Sequence, residues 1–401
     1  MELLLPFLLI FLVGLIFTEA SSRLHLPYVS ALIVGGLIFG QSMLDLIPDS
    51  EAYEFLANLG LIFLFFLAGT KINFRSLADA QAHSLPLLLL NSLLPFIIGF
   101  SFSYIYAREF QQALMIGIIF VTSSVPAILP TLQAVGLENS RLGQALINTG
   151  ITQEIIVLAS LGVFSQMLLG GDGSTVLLTI LLISLVIIFL HDQIVRLVSW
   201  FDSHQQTSET LESHLRFILM VLFAGIVLFE VVGLDGALGA FVVGVLLGDY
   251  VNKENIKQKI HTLGYGFFIP VFFILVGSQL ELRLLSEGGQ LMFLSALVLG
   301  SFASKIIGGY LGARLSGFMP DQSLALGLGS TPHLATSLAV IFAAREFQIL
   351  EEDYLTSLVL LVIITATIGP ELFNLSASRL SKHYSQTQQL KSAQVKPKAM
   401  H

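Results

Sequence analysis

The sequence predicts an all-α polytopic membrane protein with 13 transmembrane helices, arranged as two six-helix inverted repeats with two discontinuous helices. Three observations predict this fold class. The chain is too apolar for a soluble domain of its length, its apolar residues fall into helix-length segments, and several sequence patterns recur 208 residues apart. The apolar composition indicates that the chain lies in a lipid bilayer. The lengths of the apolar segments indicate helices, and the recurring patterns indicate how those helices are arranged.

The composition of the chain excludes a soluble fold. Of its 401 residues, 55% are hydrophobic and only 11% are charged, and the mean hydropathy is +0.84. A soluble core of this size cannot bury so much apolar surface, so the lipid bilayer is the expected solvent and partner. Inside hydrocarbon a helix satisfies its own backbone hydrogen bonds, so the apolar segments are expected to be helices.

Dividing the apolar segments at their polar breaks gives the 13 predicted helices. They lie near residues 3–19, 27–42, 55–71, 84–106, 111–135, 142–168, 174–192, 215–232, 235–250, 262–281, 289–316, 321–344 and 353–378. An odd number of spans places the two termini on opposite sides of the membrane.

The distribution of Lys and Arg orients the predicted helices. Three of these residues fall in loops on the N-terminal side and fifteen on the other side. Because cytoplasmic loops carry the excess of positive charge, the N-terminus is expected outside and the C-terminus in the cytoplasm, and the expected location is a bacterial inner (plasma) membrane. The remaining cation is Lys305, in the middle of the helix predicted over 289–316.

Several kinds of chemistry are absent from the sequence. It contains no cysteine, which excludes a disulfide framework and a thiolate metal site. No metal-ligand spacing, nucleophile–base pair or phosphate-binding glycine loop stands out, so we expect neither an enzyme nor a bound cofactor. Without a basic stripe, nucleic acid is not an expected partner.

Internal repeats predict the architecture. The segment ALIVGGLIFG at 31–40 matches GAFVVGVLLG at 239–248, and FFLAG at 65–69 matches FILVG at 273–277, each time 208 residues later. This offset corresponds to a shift of seven helices, and an odd shift reverses the direction across the membrane. The prediction is two inverted repeats of six helices joined by the helix over 174–192. Glycine-mediated helix packing is the alternative, but it does not explain a constant offset.

Two repeat-related helices carry a break signal. The helix over 111–135 contains Thr122-Ser-Ser-Val-Pro126, and the helix over 321–344 contains Ser330-Thr-Pro-His-Leu334, again 208 residues later. Proline removes a backbone donor, while hydroxyl groups can satisfy freed carbonyls or coordinate a dehydrated cation. A simple kink is the alternative for either break alone. The pair predicts two discontinuous helices that form an ion site near the middle of the membrane.

Two ionisable residues lie deep in apolar helices. Glu154 is near the middle of the helix over 142–168, and Lys305 is its expected partner. A charge at this depth is costly unless it is paired, hydrated or neutralised, so intramembrane ionisable residues are functional candidates by default. A purely structural ion pair is the alternative. His333 is a further candidate, although a histidine that fills a kink through hydrogen bonds is an equal alternative.

At these residues the chain resembles the monovalent cation:proton antiporter-2 family, which includes NapA-type sodium/proton and Kef-type potassium/proton antiporters. The similarity covers almost the whole chain and is carried by LPYVSALIVGGLIFG at 26–40, NLGLIFLFFLAG at 58–69 and FFILVG at 272–277. Two departures stand out. This chain has Gln153-Glu154 where the family usually has an aspartate as the second residue, and it lacks the acid of the Thr-Pro-Arg-Gly-Glu pattern after Pro332.

The resemblance implies an NhaA/NapA-like fold with a dimerisation domain, a core domain and a homodimer. The implied boundaries are 1–83 and 215–285 for dimerisation-domain helices, 84–170 and 286–378 for core-domain helices, 171–214 for the connecting helix and cytoplasmic loop, and 379–401 for a disordered cytoplasmic tail. No nucleotide-binding domain is expected after the last predicted helix.

The resemblance further implies a secondary active transporter that exchanges Na⁺ or K⁺ for H⁺ by alternating access. A proton-coupled anion symporter and a non-transporting membrane sensor are the alternatives on the same fold. In the expected exchange, Glu154 binds a proton or a monovalent cation in turn. The other expected ion- and proton-binding residues are Gln153, Lys305, Thr122, Ser123, Ser124 and Thr331.

Overall fold

The computed structural model describes most of the chain and is helical in every regular element of it. The described ranges are 4–24, 27–48, 50–70, 85–168, 193–194, 196–197, 200, 210–231, 236–252, 254–283, 288–350 and 352–394. Within these ranges there is no β-strand, in keeping with the requirement that backbone groups in an apolar medium be paired within their own segment.

Fifteen α-helices and one π-helical turn have defined bounds within the described residues. They are α1 (Leu4–Leu24), α2 (Tyr28–Phe39), α3 (Glu51–Thr70), α4 (Leu85–Ala107), α5 (Phe110–Val121), α6 (Val125–Ala134), α7 (Arg141–Leu168), α8 (Thr210–Val231), α9 (Gly236–Val251), α10 (Glu254–Leu263), the π-helical turn (Gly264–Phe268), α11 (Ile269–Ser278), α12 (Gly288–Leu315), α13 (Pro320–Gly329), α14 (Ala335–Glu346) and α15 (Glu352–Gln394).

Within the described residues, eight helical segments are long and apolar enough to cross a membrane, and some of them combine consecutive helices. They are Leu4–Ser21, Glu51–Thr70, Leu85–Ala107, Phe110–Ala134, Glu212–Val231, Ile256–Ser278, Gly289–Leu315 and Tyr354–Leu380. Three shorter apolar helices accompany them at Tyr28–Phe39, Gly236–Val251 and Ala335–Arg345. The predicted connecting helix over 174–192 lies outside the described residues.

Both predicted breaks are present. The chain leaves helical geometry between Val121 and Val125, and again between Gly329 and Ala335. In the first break Thr122 and Ser124 have extended backbone angles. The breaks separate α5 from α6 and α13 from α14, so the prediction of two discontinuous helices is confirmed at both positions.

The C-terminal helix differs from its prediction. α15 continues past Arg379, where we expected a disordered tail to begin, and ends at Gln394. Residues 379–394 contain neither glycine nor proline, so no residue there terminates the helix. The disordered cytoplasmic tail over 379–401 stays a prediction, and residues 395–401 lie outside the described part of the chain.

The chain divides into two compact units. The first consists of 1–75, 155–293 and 335–359, and the second of 76–154, 294–334 and 360–401. The second unit contains both breaks up to Leu334, together with Glu154 and Lys305. Its buried apolar cluster includes Leu132, Leu146 and Phe373.

Glycines bring helix backbones of the first unit into close contact. A Cβ atom on Gly36 would come within 1.9 Å of the Ile274 carbonyl oxygen, and one on Gly244 within 2.2 Å of the Phe66 carbonyl oxygen. Only glycine allows two helices to approach so closely. The two contacts join α2 to α11 and α3 to α9.

These contacts recur with the spacing of the sequence repeats. Gly244 follows Gly36 by 208 residues, and Ile274 follows Phe66 by the same number. The same relation links the contacts Gly277–Ile33 with Gly69–Phe241, and Gly40–Ser278 with Gly248–Thr70. In each pair of contacts, the two glycines are 208 residues apart and so are their two partners, and the glycine precedes its partner in one contact and follows it in the other.

Candidate ion site

The amino group of Lys305 lies inside the second unit and is surrounded by oxygen atoms. Its side chain extends from α12 and is fully buried. Nζ donates hydrogen bonds to the carbonyl oxygen of Val121 at 2.6 Å, Ser123 Oγ at 2.9 Å, the carbonyl oxygen of Asn91 at 3.3 Å and Gln153 Oε1 at 3.4 Å. We call these four oxygens the oxygen cage.

Two cage oxygens are backbone carbonyls that the helices leave free. In a continuous helix the Asn91 carbonyl would accept from the N–H of residue 95, but Pro95 has none. The Val121 carbonyl lies at the end of α5, where the break removes the next helical donor. Neither carbonyl accepts a hydrogen bond from its own helix, so both can accept one from Lys305.

The two side chains of the cage are oriented by their other hydrogen bonds. Gln153 Nε2 donates to the Asn91 carbonyl oxygen at 2.9 Å and to Ser92 Oγ at 3.1 Å, which leaves Oε1 to face Lys305. The Ser123 hydroxyl donates its one proton to the Ser330 carbonyl oxygen at 2.8 Å, so its oxygen can only accept from Lys305. The cage is thus a set of acceptors fixed before any ion arrives.

The two breaks are hydrogen-bonded to each other. The N–H of Ser124 donates to the carbonyl oxygen of Pro332 at 2.7 Å, and the bond from Ser123 to Ser330 lies beside it. The Thr331 hydroxyl instead donates to the Leu328 carbonyl oxygen at 2.8 Å, one turn back in α13. Backbone groups that lose their helical hydrogen bonds at one break therefore form hydrogen bonds with residues of the other break.

His333 forms a bridge beside the cage. Thr122 donates its hydroxyl proton to the Ile119 carbonyl oxygen at 2.9 Å, so Thr122 Oγ1 accepts from His333 Nδ1, 2.6 Å away. His333 Nε2 then accepts from Ser301 Oγ at 2.8 Å. These partners assign a neutral imidazole with its proton on Nδ1. The ring is fully buried, as expected for a histidine that joins the first break to α12.

Glu154 occupies the position after Gln153 on α7 and is half-buried. Adjacent helix positions point about 100° apart, so Gln153 and Glu154 cannot face the cage in the same way. The four oxygens that receive hydrogen bonds from Lys305 come from other residues. An approach of Glu154 to Lys305 in another state of the protein stays a prediction.

The structure brings together a subset of the residues expected from the sequence. Ser123, Gln153 and Lys305 meet at the cage, Thr122 and His333 form the bridge, and Ser124 contributes its N–H. Sequence reasoning missed other participants, namely Asn91, Ser92, Pro95, Ser301 and Thr365, whose Oγ1 accepts from the His333 N–H at 3.3 Å. A polar residue four positions before an intrahelical proline was the available signal for Asn91.

The donor set defines what the site can bind. Two carbonyls, a hydroxyl and a carboxamide oxygen are hard, neutral ligands suited to a dehydrated alkali cation. Within the described residues, no group of three or more His, Asp or Glu is placed to hold a metal ion. The Lys305 ammonium, which lies among these oxygens, carries the same charge as a monovalent cation.

Comparison with known proteins gives a consistent result. Residues 7–374 match the family described as sodium/hydrogen exchanger, transmembrane. The chain is 26% identical to a probable Na⁺/H⁺ antiporter 3 of Methanocaldococcus jannaschii, over 91% of this chain and 94% of that protein. It is 27% identical to the Na⁺/H⁺-K⁺ antiporter GerN of Bacillus cereus, over 88% and 91% of the two chains.

A solved structure shares the fold. The sodium proton antiporter MjNhaP1 of Methanocaldococcus jannaschii at pH 8 superposes with a TM-score of 0.66 at 18% identity, over 95% of this chain and 99% of that chain. At this identity the similarity concerns the fold alone.

Proposed function

The chain belongs to the transmembrane sodium/hydrogen exchanger family and exchanges cations for protons, and from this premise we propose that the exchange takes place at the oxygen cage around Lys305. It is an integral membrane protein, since its family and its apolar helices agree. The proposed cargo is Na⁺ or K⁺ in one direction and H⁺ in the other, with no bound cofactor.

The observation that carries this proposal is the set of partners of Lys305. Four oxygens from three helices and one break converge on its buried Nζ. An alkali cation entering the cage would need the same oxygens. Two unit charges about 4 Å apart repel by about 4 kcal/mol at an effective dielectric constant of 20, so the ammonium and the ion compete for the cage.

Competition of this kind links cation binding to proton release. When the cation enters, the Lys305 ammonium leaves the cage or loses its proton, and Glu154 gives up its proton to balance the added charge. With Glu154 as the single acid and a neutral Gln153, one cation is exchanged for one proton. If Lys305 also releases a proton, two protons leave for each cation and the exchange becomes electrogenic.

We assign the architecture to two inverted six-helix repeats, with 13 spans in total and the segment 174–192 as the connecting span. The reciprocal glycine contacts of the first unit support this assignment, because a two-fold relation between the repeats exchanges the two partners of every contact. The bond from Ser124 to Pro332 joins residues 208 apart, as expected for a contact on the axis of that relation.

The domains implied by the family resemblance extend this proposal. Helices within 84–170 and 286–378 form the core domain that carries the ion, and those within 1–83 and 215–285 form the dimerisation domain of a homodimer. The distribution of Lys and Arg favours an external N-terminus and a cytoplasmic C-terminus in a bacterial inner membrane. Alternating access follows from movement of the core domain.

Transport by the purified protein in liposomes tests the function. An imposed gradient of Na⁺, K⁺ or Li⁺ should drive protons across the membrane in the direction opposite to the cation. A choline gradient should drive no proton movement. Gln153→Leu removes a cage oxygen and should raise the KM for the cation about tenfold or more. Proton-coupled uptake of an anion without any cation dependence would contradict cation exchange and support the symport alternative.

Gln112→Leu is the matched control for Gln153→Leu. Gln112 is also a buried glutamine of the second unit, and its Nε2 has no hydrogen-bond partner among the described residues. It lies outside the cage, so the same substitution should leave the KM for the cation near its wild-type value. Equal effects of the two substitutions would show that the loss comes from packing rather than from the cage.

A further inference from the structure

The side chain of Asn91 is buried and has no hydrogen-bond partner within the described part of the chain. Asn91 is fully buried in α4, and neither Oδ1 nor Nδ2 has a partner among the residues that the structure describes. A buried carboxamide normally has both atoms paired, because leaving them unpaired costs their lost hydration. We therefore expect a polar group to form hydrogen bonds with this carboxamide in another state of the protein.

The Asn91 carboxamide lies next to the oxygen cage but does not belong to it. The helix directs the Asn91 carbonyl towards the C-terminal end of α4, where it enters the cage, and tilts the side chain towards the N-terminal end. The carboxamide therefore lies beside the cage, displaced along α4. One residue thus presents an acceptor inside the cage and an unpartnered group next to it.

Glycine on α12 provides the space for this carboxamide. A Cβ atom on Gly309 would come within 2.9 Å of Asn91 Nδ2 and within 2.6 Å of the Gly327 Cα. Gly309 lies one helical turn after Lys305, so both residues are on the same side of α12. The Lys305 side chain is long and flexible, and its Nζ already bonds to the carbonyl oxygen of Asn91, so the carboxamide of the same residue is a short movement away from the amine.

We propose that the Asn91 carboxamide is the second resting position of the Lys305 amine, which turns to it when a transported monovalent cation occupies the oxygen cage. This inference rests on the proposed function. The carboxamide serves the amine in either protonation state, because Oδ1 accepts from an ammonium and Nδ2 donates to a neutral amine. Asn91 is thus a positioning residue that makes displacement of Lys305 by the cation less unfavourable.

A double-mutant cycle distinguishes this role from direct contact with the cation. Cation affinity is measured as the concentration-dependent rise in Tm of the purified protein with NaCl, KCl or LiCl, against choline chloride. Asn91→Leu should weaken cation binding about tenfold when Lys305 is present. Lys305→Met should strengthen binding, since the competitor is gone. In the Lys305→Met background, Asn91→Leu should have no further effect.

Ser103 provides the control for Asn91. Ser103→Ala removes another buried hydroxyl of α4 for which the described residues provide no partner, about 18 Å further along the helix, and should leave cation affinity unchanged. Equal weakening by Asn91→Leu in both backgrounds, or no weakening in either, overturns the inference. Asn91→Ala replaces Asn91→Leu, with the same expected outcomes, if the leucine variant is not monodisperse.

Failure of this inference can be separated from failure of the proposed function. A wild-type protein that shows neither cation-specific stabilisation nor cation-driven proton movement overturns both. A wild-type protein that shows both, with equal responses in the two Lys305 backgrounds, overturns only the role of Asn91.

Discussion

The N–H of Ser124 donates to the carbonyl oxygen of Pro332 at 2.7 Å, which joins the two helix breaks at positions 208 residues apart. The reciprocal bond cannot form, because Pro332 has no N–H. The pair is therefore asymmetric, and the neighbouring bond from the Ser123 hydroxyl to the Ser330 carbonyl oxygen supplies the second connection. The Ser123 hydroxyl therefore has two roles: it connects the breaks, and its oxygen is one of the four oxygens of the cage.

Ser123→Ala should weaken cation binding much more than Ser124→Ala. The first substitution removes a cage oxygen and the donor to Ser330, whereas Ser124 retains its bond to Pro332 through the backbone. Loss of one charge-assisted hydrogen bond corresponds to about 1.5–3 kcal/mol, or a rise in KM of about tenfold or more. Cation-driven proton movement in liposomes measures both values. Equal KM values in the two variants would show that the Ser123 hydroxyl is not a ligand.

Pro95→Ala should weaken the cage without touching any of its side chains. Alanine restores an N–H that can bond to the Asn91 carbonyl oxygen, so this oxygen is withdrawn from Lys305 and from the incoming cation. We expect a rise in the KM for the cation together with unchanged or higher thermal stability, because the helix gains a hydrogen bond. Kinetics and thermal unfolding of the same preparation measure the two effects.

Pro86→Ala is the control for Pro95→Ala. Pro86 lies in the first turn of α4, where the missing N–H has no helical partner to lose, so this substitution should change neither KM nor stability greatly. A KM for Pro95→Ala equal to that of wild type would mean that the Asn91 carbonyl does not bind the cation.

His333→Gln should slow transport but keep the ratio of protons to cations. Both ring nitrogens form hydrogen bonds, one with Thr122 and the other with Ser301. The imidazole therefore holds the first break in position against α12. Glutamine can replace one of these contacts, and the unpaired hydroxyl left behind should destabilise the protein by about 1–3 kcal/mol. Proton and cation fluxes measured together give the ratio. A changed ratio would identify His333 as a proton carrier instead.

Helix positions and breaks were largely predictable from the sequence, because bilayer thickness and proline act locally. The segments around Pro126 and Pro332 were expected to be interrupted and are. The end of α15 at Gln394 was not predicted, since the residues after Arg379 are polar but include neither glycine nor proline up to that point. Composition decides whether a segment can be buried, and local propensity decides whether it is helical.

The set of residues that meet around Lys305 was less predictable than the positions of the breaks. The acceptors of Lys305 include the carbonyls of Asn91 and Val121, and a backbone oxygen carries no sequence signal of its own. Which of Gln153 and Glu154 faces Lys305 depends on the rotation of α7, which a single helix does not specify. The partner of His333 on α12, Ser301, is likewise determined by packing between helices.

Gly36→Ala and Gly244→Ala should destabilise the protein to a similar extent. The new Cβ atoms would meet backbone carbonyl oxygens at 1.9 and 2.2 Å, so the paired helices must separate in both variants. Overpacking typically costs about 1–3 kcal/mol, which thermal unfolding in detergent can resolve. Gly266→Ala is the control, because its Cβ would meet only Thr262 Cγ2 at 3.8 Å. Markedly unequal losses would argue against a two-fold relation between these contacts.

Glu154→Gln should abolish cation-driven proton movement while leaving the protein folded. The amide has the size of the carboxylate but cannot exchange a proton, and the cage is built from other residues, so cation-linked stabilisation should persist. Glu154→Asp should retain part of the activity with altered cation affinity, since it keeps the acid with one methylene less. Proton flux and cation-dependent Tm on the same variants separate the two functions. Loss of binding together with transport in Glu154→Gln would make Glu154 a direct ligand of the cation, and full proton flux in that variant would assign the exchanged proton to another group.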